Sequence, residues 1–204
     1  MLSTDRGSCC LIAIAGGIGS GTSVVSRVLA AMGYAVYDCD SRAKALMDVS
    51  ERIKSLLAER ISPAVITADG EIDRRVLASI VFSDSDRLGV LNEIVHAEVR
   101  ADLAEWAAGQ PLAFVETAIL YESGLDAMVD EVWMVDAPKE MRVERVMKRS
   151  SMSAAEVEAR IESQLAFTPS KLHPKTHLIV NDNFRAVLPQ VERLLSPYDK
   201  PLSV

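Results

Sequence analysis

Gly16-Gly17-Ile18-Gly19-Ser20-Gly21-Thr22-Ser23 is the stretch of this chain best suited to hold a phosphate group. It fits the spacing G-x-x-x-x-G-K-[ST] everywhere except at the lysine, where Thr22 stands. Glycine tolerates left-handed backbone angles, so the chain can turn its N–H groups inward. Together with the N-terminus of a following helix, those N–H groups make an anion cradle. The backbone of Gly17, Gly19, Ser20, Gly21, Thr22, Ser23 and Val24 is the expected lining of that cradle, and the Ser23 hydroxyl is the expected Mg2+ ligand. Lysine at position 22 would place a charge between two phosphates; threonine carries none and has a shorter reach. Losing one such contact costs about 3–4 kcal/mol at a transition state, or about 10²–10³ in rate. Three readings follow: a basic residue elsewhere substitutes, the protein is a weakened enzyme, or the position has been engineered. On the sequence alone, Thr22→Lys is expected to raise turnover at least about tenfold.

A cradle of this kind needs a strand before it and a helix after it. Leu11–Ala15 is an uninterrupted apolar run, as in a strand buried on both faces of a parallel sheet. After the glycines, Val24, Val25, Val28, Leu29 and Met32 recur at helical spacing, and Gly33 ends the helix. Ala35–Asp40 reads as a second strand ending in two aspartates, with Cys39 as a buried strand residue. Residues 41–109 carry three helical stripes, broken at Pro63 and Asp69-Gly70; this is longer than a crossover requires and predicts a helical, substrate-binding insertion. Pro111–Thr117, Glu131–Pro138 and Thr176–Asp182 read as further strands. Lys139–Arg149, Ala154–Ala166 and Phe184–Leu195 read as helices, with Pro189 kinking the last or delaying its start. Alternating strands and helices give an α/β fold with a parallel five-stranded sheet flanked by helices. The chain, 1–204, is expected to be a single domain with a frayed tail.

GGIGSG at Gly16–Gly21, followed by Val36–Asp40, resembles the dephospho-coenzyme A kinases, a family of P-loop kinases. The resemblance continues in order through Asp73–Phe82, Leu91–Arg100, Glu116–Leu125, Arg145–Arg149, Arg160–Gln164 and Ile179–Asp182. It implies a P-loop NTPase fold with a lid at 150–176. It also implies transfer of the ATP γ-phosphate to the ribose 3′-hydroxyl of dephospho-CoA, with Mg2+. By the same resemblance Asp40 is the catalytic base, with helix capping as its ordinary alternative. Asp38 is a candidate to position Mg2+ through water, and Glu116 to order such water or touch substrate. Arg145, Arg149 and Arg160 are candidates to bind adenine or clamp the triphosphate, with a solvated helix face as the alternative. Lys171 and Lys175 are the candidates to replace the missing charge. Arg74 or its neighbour Arg75, together with His96, is expected to hold dephospho-CoA. The chain departs from the family pattern at Thr22, Ala97 and Ser150 and in a cation-poor segment after Gln164. Two rival readings therefore stay open: a non-catalytic nucleotide- or CoA-binding pseudokinase, and a kinase for another small hydroxyl substrate.

Composition narrows the setting. The net charge of -7 offers no global field for nucleic acid. Cys9, Cys10 and Cys39 form no CxxC pair, and His96, His173 and His177 have no metal-ligand spacing with them. The apolar run before the glycines is too short for a signal peptide or a membrane span, so a cytoplasmic monomer or small homo-oligomer is expected.

Overall fold

Strand β1 (Cys10–Ala15) is buried at five of its six positions, because it lies inside the sheet with helices on both sides. The structure is a computed structural model and describes residues 9–198. The chain's opening before Cys9 and the end of the tail, 199–204, fall outside the described residues.

The five strands are β1, β2 (Ala35–Asp38), β3 (Leu112–Thr117), β4 (Glu131–Asp136) and β5 (Thr176–Val180). Their order in the sheet is β2-β3-β1-β4-β5. The β1–β3, β1–β4 and β4–β5 pairs are parallel, with Ile14 opposite Glu116 and Trp133. The expected α/β architecture is therefore present. Helices α1 (Thr22–Ala31) and α8 (Val187–Leu195) pack together on one side. Their core joins Ile12, Ile14, Leu29, Phe114, Trp133 and Leu195, and the Phe114 and Trp133 rings lie 5.1 Å apart. Burial of these large side chains is the main favourable contribution to this half. Helices α6 (Lys139–Arg149) and α7 (Ala154–Ala166) meet through a smaller cluster, Val146, Val157 and Ile161, with Ile18 against it.

Contacts divide the chain into two compact units, one made of 1–37 with 110–204, the other of Asp38–Gly109. The second unit holds α2 (Cys39–Val49), α3 (Glu51–Arg60), α4 (Arg74–Val81) and α5 (Ser85–Ala107). Within it, Pro63 opens a short 3-10 turn, and Gly70 takes a positive φ between the bridged residues Ile66 and Ile72. Arg42 grips Asp102 with two hydrogen bonds of 3.0 and 2.5 Å, tying α2 to α5.

Strand β4 stops at Asp136, two residues short of the expected Pro138, and three further boundaries differ for a visible local reason. Strand β2 stops at Asp38, because that side chain caps α2 by accepting from the N–H groups of Asp40 (3.0 Å) and Ser41 (3.2 Å). Cys39 and Asp40 consequently lie in the first turn of a helix, and Cys39 is a buried helical residue instead of a strand residue. Strand β5 stops at Val180; the Asp182 carboxylate accepts from the N–H groups of Phe184 and Arg185, and Asn183 takes a positive φ, which turns the chain. Helix α8 begins at Val187, so Pro189 falls in its first turn, where a missing N–H costs nothing.

Candidate functional site

The loop from Gly16 to Gly21 leaves β1 and enters α1 directly. Gly19 and Gly21 have φ of 79° and 101°, the left-handed region, and Gly21 is the residue that caps α1. No acidic side chain sits in the first turn of α1, so its positive end is not neutralised from within. Space around the loop is also committed. A Cβ on Gly19 would stand 2.5 Å from the Arg142 carbonyl oxygen and 2.9 Å from its Cα. Only glycine at position 19 lets α6 come this close.

Neighbouring side chains hold the loop's outward backbone groups. The Asn181 amide donates to the Ser20 carbonyl over 2.8 Å. Arg145 reaches the Asn181 carbonyl at 3.0 Å, the Asn183 side chain at 2.8 Å, and the Ser20 carbonyl at 3.4 Å. Arg142 donates from Nε to the Ile18 carbonyl over 2.9 Å. The Ile18 N–H donates to Gln164 of α7 over 2.8 Å, and the Gln164 amide lies 3.4 Å from the Ala118 carbonyl. The loop is thus braced by α6, by α7 and by the turn after β5.

Thr22 points at β3: its hydroxyl donates to the Glu116 carboxylate over 2.8 Å. This joins two of the expected site residues. Ser23 and Val24 are exposed, and Ser20 is buried, its hydroxyl without a partner among the described residues. Glycines that admit no Cβ, an uncompensated helix N-terminus and a hydroxyl at Ser23 suit a polyphosphate with a divalent cation.

The remaining candidates are more dispersed. Asp40 is exposed in the first turn of α2, and Asp38, not Asp40, provides the cap. Arg149 and Arg160 are exposed on α6 and α7. Arg145 places its guanidinium between the loop and the turn after β5. Lys175 lies 3.7 Å from Glu131 at the start of β4, the end of the sheet opposite the loop, which rules it out as the replacement charge. Lys171 borders a cavity with Tyr121, Phe167 and His173, and Tyr121 and Phe167 also line the cleft beside the loop. Arg74 is ion-paired with Asp48 at 2.5 Å, while its neighbour Arg75 is exposed. His96 is half-buried on α5; burial, and then the nearby Arg100, push its pKa down.

Sequence reasoning missed Arg142, Asn181 and Asn183. Arg142 carries one available signal, since it stands three residues before Arg145 and so shares its helix face. A cleft of about 340 Å3 opens beside the loop, lined by Gly16, Gly17, Leu120, Asp136, Arg142 and Gln164 among others.

A sequence model of one family, described as Dephospho-CoA kinase, matches residues 10–186. The chain belongs to the dephospho-CoA kinase family. A protein of that name from Porphyromonas gingivalis is 39% identical over 186 residues, covering 90% of this chain and 92% of the relative. Another dephospho-CoA kinase, from Thermus thermophilus, is 41% identical over 158 residues, covering 76% of this chain and 75% of the relative. A crystal structure from the same organism superposes with a TM-score of 0.69 at 36% identity, covering 93% of this chain and 95% of the other. The family match, the two named relatives and this superposition support the P-loop kinase fold and lend nothing to the two rival readings. No helix among the described residues is long and apolar enough to cross a membrane.

Proposed function

We propose that this protein transfers the γ-phosphoryl group of ATP to the ribose 3′-hydroxyl of dephospho-CoA, the last step of coenzyme A biosynthesis. The observation that carries the reading is family membership over 10–186, joined to a glycine loop braced between β1 and α1. The backbone N–H groups of the loop and the first turn of α1 bind the triphosphate. The Ser23 hydroxyl would hold Mg2+, which would supply positive charge against the phosphates.

Asp40 is assigned as the base that accepts the 3′-hydroxyl proton. It belongs to the turn that follows β2, and strand C-termini border the ligand crevice in sheets of this kind. The cap from Asp38 fixes that turn and so places Asp40. Glu116, held by Thr22, orders metal-bound water or contacts substrate. Arg149 and Arg160 approach the nucleotide from 150–176 and its flanks, which act as the lid. The helical unit, 41–109, receives dephospho-CoA, with Arg74 and His96 at its anionic part. The setting is a cytoplasmic enzyme, monomeric or a small homo-oligomer.

Initial rates with dephospho-CoA and with its 3′-deoxy analogue test the acceptor. Only the first should yield ADP above the background hydrolysis rate. Equal rates with both would overturn the assignment. Asp40→Asn should lower kcat by about 10²–10⁴ while the ATP affinity stays within about threefold.

A further inference from the structure

Arg142 is a half-buried cation that makes no ion pair among the described residues. Its hydrogen bond to the Ile18 carbonyl lays the guanidinium along the loop, 2.9 Å in length. A Cβ built on Gly17 would run into Nη2 and would stand 2.9 Å from Cζ and 3.3 Å from Nη1. Arg142 also lines the cleft beside the loop. Burial works against its charge, and Asp136, close by but not paired, works for it. A desolvated charge without a counter-ion is costly to keep, unless an anion is there to receive it.

Arg149, Arg160 and Lys171 stand on exposed surface, and the cations nearest the loop other than Arg142 are committed. Arg145 is engaged by Asn181 and Asn183, Lys148 is paired with Glu144, and Lys175 sits near Glu131 at the far end of the sheet. Position 22 is turned toward Glu116. We infer that Arg142 supplies, from α6, the positive charge on the nucleotide's phosphates that the loop lacks at Thr22. Its planar fork can donate to two phosphate oxygens at once, and it stays protonated at any working pH. The inference rests on the ATP-binding part of the proposed function and not on the identity of the acceptor.

The test compares R142Q, T22K and the double variant T22K/R142Q with the parent. ATP affinity is read by calorimetry without acceptor, turnover with dephospho-CoA, and folding by thermal melting. R142Q should weaken ATP binding at least about tenfold and cut turnover about 10²–10³-fold. T22K/R142Q should regain at least about tenfold in both, because the lysine returns the charge by the other route. T22K alone should gain less than about tenfold, which revises the expectation drawn from sequence. R142Q indistinguishable from the parent would overturn the inference. So would a loss that T22K fails to restore, since Arg142 would then merely brace the Ile18 carbonyl. ATP binding that depends on Arg142, in a protein that leaves dephospho-CoA untouched, would sustain the inference and refute the acceptor assignment.

Discussion

Thr22 and Glu116 illustrate how much one side chain decides in this site. A lysine would extend toward phosphate, whereas the threonine hydroxyl turns to a carboxylate 2.8 Å away at the end of β3. Gly19 is equally constrained, from the other direction. Alanine there meets the α6 backbone, at 2.5 Å from the Arg142 carbonyl, in a left-handed conformation. Strain and overpacking together should cost about 2 kcal/mol or more. Urea unfolding of Gly19→Ala should show that loss, and calorimetry should show ATP binding abolished, because α6 must retreat from the loop. Unchanged unfolding would mean that the close approach is not maintained in solution.

At the scale of elements, the loop depends on three neighbours that hold it in place. Arg145 links α6 to the turn after β5, where Asn183 has a φ of 66°. Arg145→Ala removes several charge-assisted hydrogen bonds and should destabilise the protein by about 2 kcal/mol in urea unfolding. Conservative Arg145→Lys should recover only part of it, since an ammonium cannot span the same acceptors. The elements themselves were largely readable from sequence. The runs Lys139–Arg149 and Ala154–Ala166 carry clear helical spacing, and both helices have those bounds. The end of β2 was not readable, because apolar alternation continues to Cys39 while the Asp38 side chain starts a helix there. Local capping overrides pattern at such a boundary. The glycine loop was legible because its constraint is local. The bracing by Arg142, Asn181 and Gln164 was not, since these residues lie more than a hundred positions from the loop they hold.

At the scale of the whole molecule, stability should respond to acid through His96. Its folded pKa is lowered from the ordinary value of 6.5, chiefly by burial. A depressed folded pKa means the unfolded chain binds the proton first. The associated stability is complete above about pH 6.5 and is lost as pH falls toward the folded value. Unfolding free energy should therefore decline below pH 6.5, and His96→Gln should flatten that slope; an equal slope in both proteins would assign the acid sensitivity elsewhere. The net charge of -7 makes the substrate's anionic groups dependent on local cations, so the reaction should lose rate with added salt. Phosphoryl transfer to the ribose 3′-hydroxyl is tested most directly by phosphorus NMR of a mixture of ATP, Mg2+, dephospho-CoA and the purified protein. ADP and a new ribose 3′-phosphomonoester should appear in equal amounts, at a rate that collapses in Asp40→Asn. ATP that stays intact, or ADP that accumulates with inorganic phosphate and no 3′-phosphomonoester, would contradict it.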